Sequence, residues 1–74
     1  MVDSKRLAIG QRLREARSAK GYTLQQLADA AGYGRAAISG AEHGRSVLRP
    51  QAMIAIAKLL GISIDWLMTG DGAS

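Results

Sequence analysis

Arginine carries most of the chemistry that this chain can offer. Guanidinium groups stand at Arg6, Arg12, Arg14, Arg17, Arg35, Arg45 and Arg49, while His43 is the single histidine and cysteine is absent. A guanidinium is always charged and presents its N–H donors in a fixed fork, which fits a carboxylate, a phosphate or the O6/N7 edge of guanine. Without cysteine there is no disulfide framework, no thiolate metal site and no thiol nucleophile. His43 has no nucleophile and carboxylate at a recognisable spacing. No cluster of metal-ligating residues occurs, and no glycine-rich loop runs into Lys and Ser or Thr. The reading is therefore of a binding protein, with no enzyme activity, metal, cofactor or small-molecule ligand expected.

Ten Lys and Arg against six Asp and Glu leave a net charge of +4, which favours a polyanionic partner. Six of the ten cations (Lys5, Arg6, Arg12, Arg14, Arg17, Lys20) fall in the first 20 residues. Such a basic stretch fits a solvated face as well as a binding surface. A chain of 74 residues holds one domain, and at this size folding buries only roughly 60% of the surface of the unfolded chain. No run approaches the roughly 20 apolar residues of a membrane span, and residues 1–6 lack the apolar core of a secretory signal. A cytoplasmic protein that engages no membrane is expected.

The elements that must position these cations are helices. Apolar residues recur three and four apart, and period-2 alternation is nowhere sustained. A first helix is predicted from about Ser4 to Lys20, with Asp3 or Ser4 as its N-cap and with Ile9, Leu13 and Ala16 on one face. Gly10 inside it costs about 1 kcal/mol relative to Ala, and close packing of another helix is one reason to keep it. Thr23-Leu24-Gln25-Gln26 has the form of a capping box, with Tyr22 and Leu27 placed as a hydrophobic staple. Gly32 closes that second helix. A short third helix follows from about Arg35 to His43, with Ile38 as its one large aliphatic residue. Pro50 suits the first turn of a fourth helix, whose face carries Met53, Ile54, Ile56, Ala57 and Leu60. Ser63 caps a fifth helix running through Leu67. The domain so defined spans 4–69, and 70–74 (Gly-Asp-Gly-Ala-Ser) reads as a flexible tail or linker.

Between Thr23 and Gly44 the chain resembles the helix-turn-helix of the Cro and phage-repressor (lambda-repressor-like) family. Leu27, Ala28, Gly32 and Ile38 keep that family's spacing, and Glu42-His43-Gly44 is similar to its closing Glu-x-Gly. The first helix around Arg12–Arg17, its exit at Lys20–Thr23, and the stretch Leu59–Gly70 extend the likeness to roughly residues 10–70. The resemblance implies an all-α, five-helix DNA-binding domain with the helix-turn-helix at helices 2 and 3. It also implies that Arg17 pairs with Glu42, tying the first helix to the end of the third.

The same resemblance implies a transcriptional regulator, a repressor of a bacterium or phage, whose third helix enters the major groove of double-stranded DNA. Base reading then falls to Arg35, Ala36, Ser39, Tyr33 and Gly40. Arg35 is the leading reader, and contact with a phosphate alone is its alternative. Phosphate contacts are expected from Gln25, Arg45, Arg49, Arg12 and His43, the last while neutral, with a plain surface position at the end of an exposed helix as the competing reading of His43. A homodimer on a two-fold symmetric operator is implied, with Leu48, Trp66, Leu67 and Met68 as the candidate interface. For Trp66 and Leu67, ordinary core closure is the competing reading.

Several positions depart from the family. Leu24 stands where a phosphate-binding Gln is usual, Gly34 replaces the Ser or Thr that opens the recognition helix, Gly40 replaces a long polar residue, and Ala41 replaces a large aliphatic one. With Ala36, Ala37, Gly40 and Ala41 the recognition helix is smooth. It either approaches DNA closely, reading methyls and shape, or serves as a helix-turn-helix module that binds another regulator. The 70–74 segment also fits a link to a further domain.

Overall fold

The computed structural model describes residues 4–72 and contains five helices. They are α1 (Ser4–Ala19), α2 (Leu24–Ala31), α3 (Arg35–Glu42), α4 (Pro50–Leu60) and α5 (Ile64–Thr69). Asp3, considered above as a cap, lies outside the described residues, as do Ala73 and Ser74.

Local chemistry sets the helix ends. The Gln26 N–H donates to Thr23 Oγ1 at 3.1 Å while the Thr23 N–H donates to Gln26 Oε1 at 2.9 Å, completing the capping box. Gly32 sits at φ 76°, ψ 29°, and its N–H reaches the Ala28 carbonyl at 2.9 Å. A side chain there would be strained, because L-residues rarely adopt positive φ. Pro50 occupies the first turn of α4 behind Arg49. The Ser63 hydroxyl accepts from the Trp66 N–H at 3.0 Å, which starts α5.

The core takes one large, fully buried side chain from every helix: Leu13, Leu27, Ile38, Ile56 and Leu67. Burying each contributes about 1.5–3 kcal/mol, so even the six-residue α5 is anchored. Helix α1 packs against α3 and α5, while α2 packs against α3 and α4. The first helix thus backs the third and the last together.

Gly10 explains itself in this packing. A Cβ placed there would lie 2.8 Å from the carbonyl carbon of Glu42 and closer still to the carbonyl oxygen of Ala41. Helix α1 can meet the last turn of α3 at this distance only without a side chain. Arg12 departs from its expected role. Its Nε donates to the Leu67 carbonyl at 2.8 Å and its Nη2 to the Met68 carbonyl at 3.0 Å. These are carbonyls of the last turn of α5, where cations are favoured. The guanidinium expected to hold a phosphate therefore caps a helix inside its own chain.

Candidate nucleic-acid interface

The site is built on the α2–α3 junction. Ala28 is 1% exposed where the two helices meet, because a larger side chain would hold them apart. After Gly32, Tyr33 is half-buried against the core, with its N–H donated to the Ala28 carbonyl at 3.1 Å. Gly34 then starts α3 without any side-chain cap. Ile38 anchors α3 from below, and the exposed residues Arg35, Ala36 and Ala37 form its outer first turn. Ser39 is half-buried.

Arg17 holds the other end of α3. Its Nε donates to Glu42 Oε2 at 2.6 Å, its Nη2 to Glu42 Oε1 at 3.2 Å, and its Nη1 to the Tyr22 carbonyl at 2.9 Å. One guanidinium thereby joins α1, the end of α3 and the segment entering α2. The Glu42 side chain is 4% exposed, so this is a desolvated, bidentate charge pair, and loss of one partner strands the other.

Around the outer turn, Arg45 and Arg49 are both exposed, one after α3 and one before α4. Gln25 is exposed on α2, with its Nε2 donating to Asp29 Oδ1 at 2.8 Å. His43 Nδ1 lies 2.8 Å from the Ser39 carbonyl. A carbonyl only accepts, so Nδ1 carries the proton there. The neutral ring then has only an acceptor at Nε2, and phosphate oxygens also only accept. In this ring orientation Nε2 has no proton to give a phosphate, so the contact expected from the sequence needs the ring turned away from the Ser39 carbonyl.

The expectations for Gly40, Leu48 and Leu67 change, and Leu24 and Trp66 find their places. Gly40 is buried: a Cβ on it would lie 2.8 Å from Ser46 Oγ, so it faces the loop after α3 and has no base-reading surface. Leu24 turns toward the core, which accounts for the absence of a polar residue there. Leu67 is fully buried and Leu48 is 9% exposed, so neither is free to form an interface. Trp66 is half-buried and packs on the core, the closure role that competed with an interface role.

Ile54, expected on the apolar face of the fourth helix, is instead 48% exposed, and Val47, which sequence reasoning passed over, is 52% exposed. Val47 and Leu48 are adjacent in an irregular segment with no helical period, so pattern could not say which faces inward. Among the described residues no group of His, Cys, Asp and Glu is placed to hold a metal, and no helix is long and apolar enough to cross a membrane.

A buried-anchor helix pair presenting a short, exposed N-terminal turn between arginines defines the helix-turn-helix class. The helix-turn-helix family model matches residues 13–67, and the chain belongs to this family. A prophage-derived HTH-type transcriptional regulator of Bacillus subtilis, YonR, is 33% identical over 64 residues, or 86% of this chain. Cyanate hydratase of Mycobacteroides abscessus is 45% identical over 51 residues, or 69% of this chain. The chain spans 59% of the first relative's length and 33% of the second's. Among solved structures, the restriction-modification controller protein C.AhdI of Aeromonas hydrophila superimposes with a TM-score of 0.82 at 32% identity, covering 88% of this chain and 98% of that one. The P22 c2 repressor in complex with a synthetic operator gives a TM-score of 0.81 at 28% identity, covering 85% and 96%. The family model and these regulators share the five-helix, repressor-like fold of this chain.

Proposed function

We propose that this chain is a cytoplasmic, sequence-specific reader of double-stranded DNA that represses transcription as a homodimer on a two-fold symmetric operator. The observation that carries the reading is the exposed first turn of α3. Arg35 and Ala36 project from it, Arg45 and Arg49 flank it, and the Arg17–Glu42 fork fixes its far end. In the major groove, Arg35 donates a bidentate pair to guanine O6 and N7. Ala36 packs its methyl on a neighbouring thymine, while Ser39 and the half-buried Tyr33 contact the edges of the same site. Arg45 and Arg49 neutralise phosphates, Gln25 donates to one through its remaining amide proton, and His43 lies at the edge of the same contact. These contacts set register without reading sequence.

The likeness to regulators, one of them bound to an operator, supports this reading. No catalytic role goes with it: the match to cyanate hydratase covers a third of that enzyme. A protein-binding α3 would present its apolar turn without a basic rim. Here the exposed Ala36 and Ala37 lie among Arg35, Arg45 and Arg49.

Selection from a random duplex pool at near-physiological salt tests the reading. Enrichment of a symmetric site with half-sites about 34 Å apart is expected, and Arg35→Ala should relax one base position in each half. Recovery of unenriched sequence, bound weakly and released by salt, would overturn it.

A further inference from the structure

Two of the arginines on α1 are held inside the chain, Arg12 by the last turn of α5 and Arg17 by Glu42. Arg6 is exposed instead, and among the described residues no hydrogen bond or ion pair engages it. Four residues further along the same face of α1, Gly10 abuts the carbonyls of Ala41 and Glu42. Arg6 thus stands one turn of α1, about 6 Å, beyond the contact with the end of the recognition helix. There it lines a cleft with Ala41, Ser46 and Val47. Ser46 and Val47 also line the cleft that Arg49 borders beside α3. Gly40 permits this arrangement, since a Cβ on it would meet Ser46 Oγ at 2.8 Å and push the loop away.

We infer that Arg6 holds a phosphate of the DNA backbone, so that the first helix joins the loop after α3 in gripping the duplex. The inference rests on the operator-reading proposal and adds a contact to it. Arg6, Arg45 and Arg49 gather around one loop, and no described carboxylate pairs with any of them. Glu42, the acid at the end of α3, is already taken by Arg17. Three guanidinium groups around a loop repel one another, and a polyanion relieves that repulsion. A strand held by Arg45 offers its next phosphate only about 3.4 Å further along the duplex axis. A cation on the adjoining turn of α1 is placed to take it. The residue at Gly40 fits the same picture. A recognition helix without a long side chain there reads fewer bases, and the loop it admits brings a further cation to the backbone.

Equilibrium titration against a matched and a mismatched duplex at several salt concentrations tests the inference. Arg6→Ala should weaken both duplexes alike, and the slope of log affinity against log salt should become shallower by about 0.9. Its loss of affinity is then about 3- to 4-fold larger at roughly 50 mM salt than at roughly 200 mM. Arg6→Lys keeps the charge and should keep the slope. Lys20→Ala, at the other end of α1 beside Gly61, removes the same charge and should leave the slope unchanged. Because Arg6 and Lys20 are exposed, helicity and melting temperature should stay parental in all three variants. Duplexes with one phosphate at a time replaced by neutral methylphosphonate then locate the contact. One position whose neutralisation weakens the parental chain should have no effect on Arg6→Ala. A parental slope in Arg6→Ala would overturn the inference. So would an equal loss in Lys20→Ala, which traces the effect to net charge, or the absence of any phosphate whose effect depends on Arg6. If the chain selects no sequence and Arg6→Ala still lowers the slope on any duplex, the operator reading falls and the phosphate contact stands. If the chain selects an operator that Arg6→Ala binds with the parental slope, the contact falls and base reading by α3 stands.

Discussion

Gly10 and Glu42 are held in backbone contact: a Cβ on Gly10 would come within 2.5 Å of the Glu42 carbonyl oxygen. Seven residues further along α1, and so on the same face, Arg17 binds the Glu42 side chain. The last residue of the recognition helix is thus gripped twice by α1, once by shape and once by charge. The angle at which α3 meets DNA follows from these two contacts together with the Ile38 anchor.

The shape contact predicts an inversion of helix propensity. On an exposed helix, Gly→Ala is worth up to about 1 kcal/mol in stability. Gly10→Ala should instead destabilise by about 1–3 kcal/mol, because the new methyl meets unyielding backbone and must push α1 away from α3. Urea denaturation reads this as a lower midpoint with an unchanged slope. A raised midpoint would mean that the two helices do not approach as described.

The charge contact predicts a strong asymmetry. Arg17→Ala leaves a desolvated carboxylate and should cost about 3–5 kcal/mol, a large share of a small domain's stability. The double variant Arg17→Met, Glu42→Leu should recover most of that loss, since an apolar pair needs no desolvation. Its DNA affinity should stay reduced, because a Met–Leu contact does not fix the direction of α3 as a fork does. Thermal denaturation beside a binding isotherm separates the two effects.

Arginines in reading and holding roles should respond differently to salt. Arg35→Ala should lose about 1–3 kcal/mol of discrimination at one base position. Arg45→Ala and Arg49→Ala should weaken all sequences alike and lower the slope of log affinity against log salt by about 1 each. Titrations of one matched and one mismatched duplex at several salt concentrations distinguish them. Equal losses on both duplexes for Arg35→Ala would reassign it to a phosphate.

Arg12 provides the internal contrast. Its Nε and Nη2 donate to the Leu67 and Met68 carbonyls, so Arg12→Ala should lower the melting temperature and free α5 to exchange its amide protons faster. The salt slope of DNA binding should not change. A slope reduced by about 1 would return Arg12 to the phosphate backbone.

Local rules made much of this fold legible. The bonds that set Thr23, Gly32 and Ser63 as caps span three or four residues, and Pro50 needs no partner beyond its own ring, so their spacing suffices. The five anchoring aliphatics also follow helical periodicity. The helix-turn-helix spacing made legible the placement of Arg35 and Ala36 on the exposed outer turn and the pairing of Arg17 with Glu42.

Tertiary structure decided whatever depends on partners distant in the chain. Arg12 meets carbonyls 55 and 56 residues away, and a guanidinium on a helix carries no local sign of whether it will find phosphate or peptide. Gly10 is explained only by α3 lying against it, and Gly40 only by the loop folding Ser46 over it. Val47 and Leu48 are two adjacent aliphatics without a helical period. Only the packed chain turns Leu48 into the core and leaves Val47 on the surface, because a core has room for the side chains that fit and excludes the neighbours that do not.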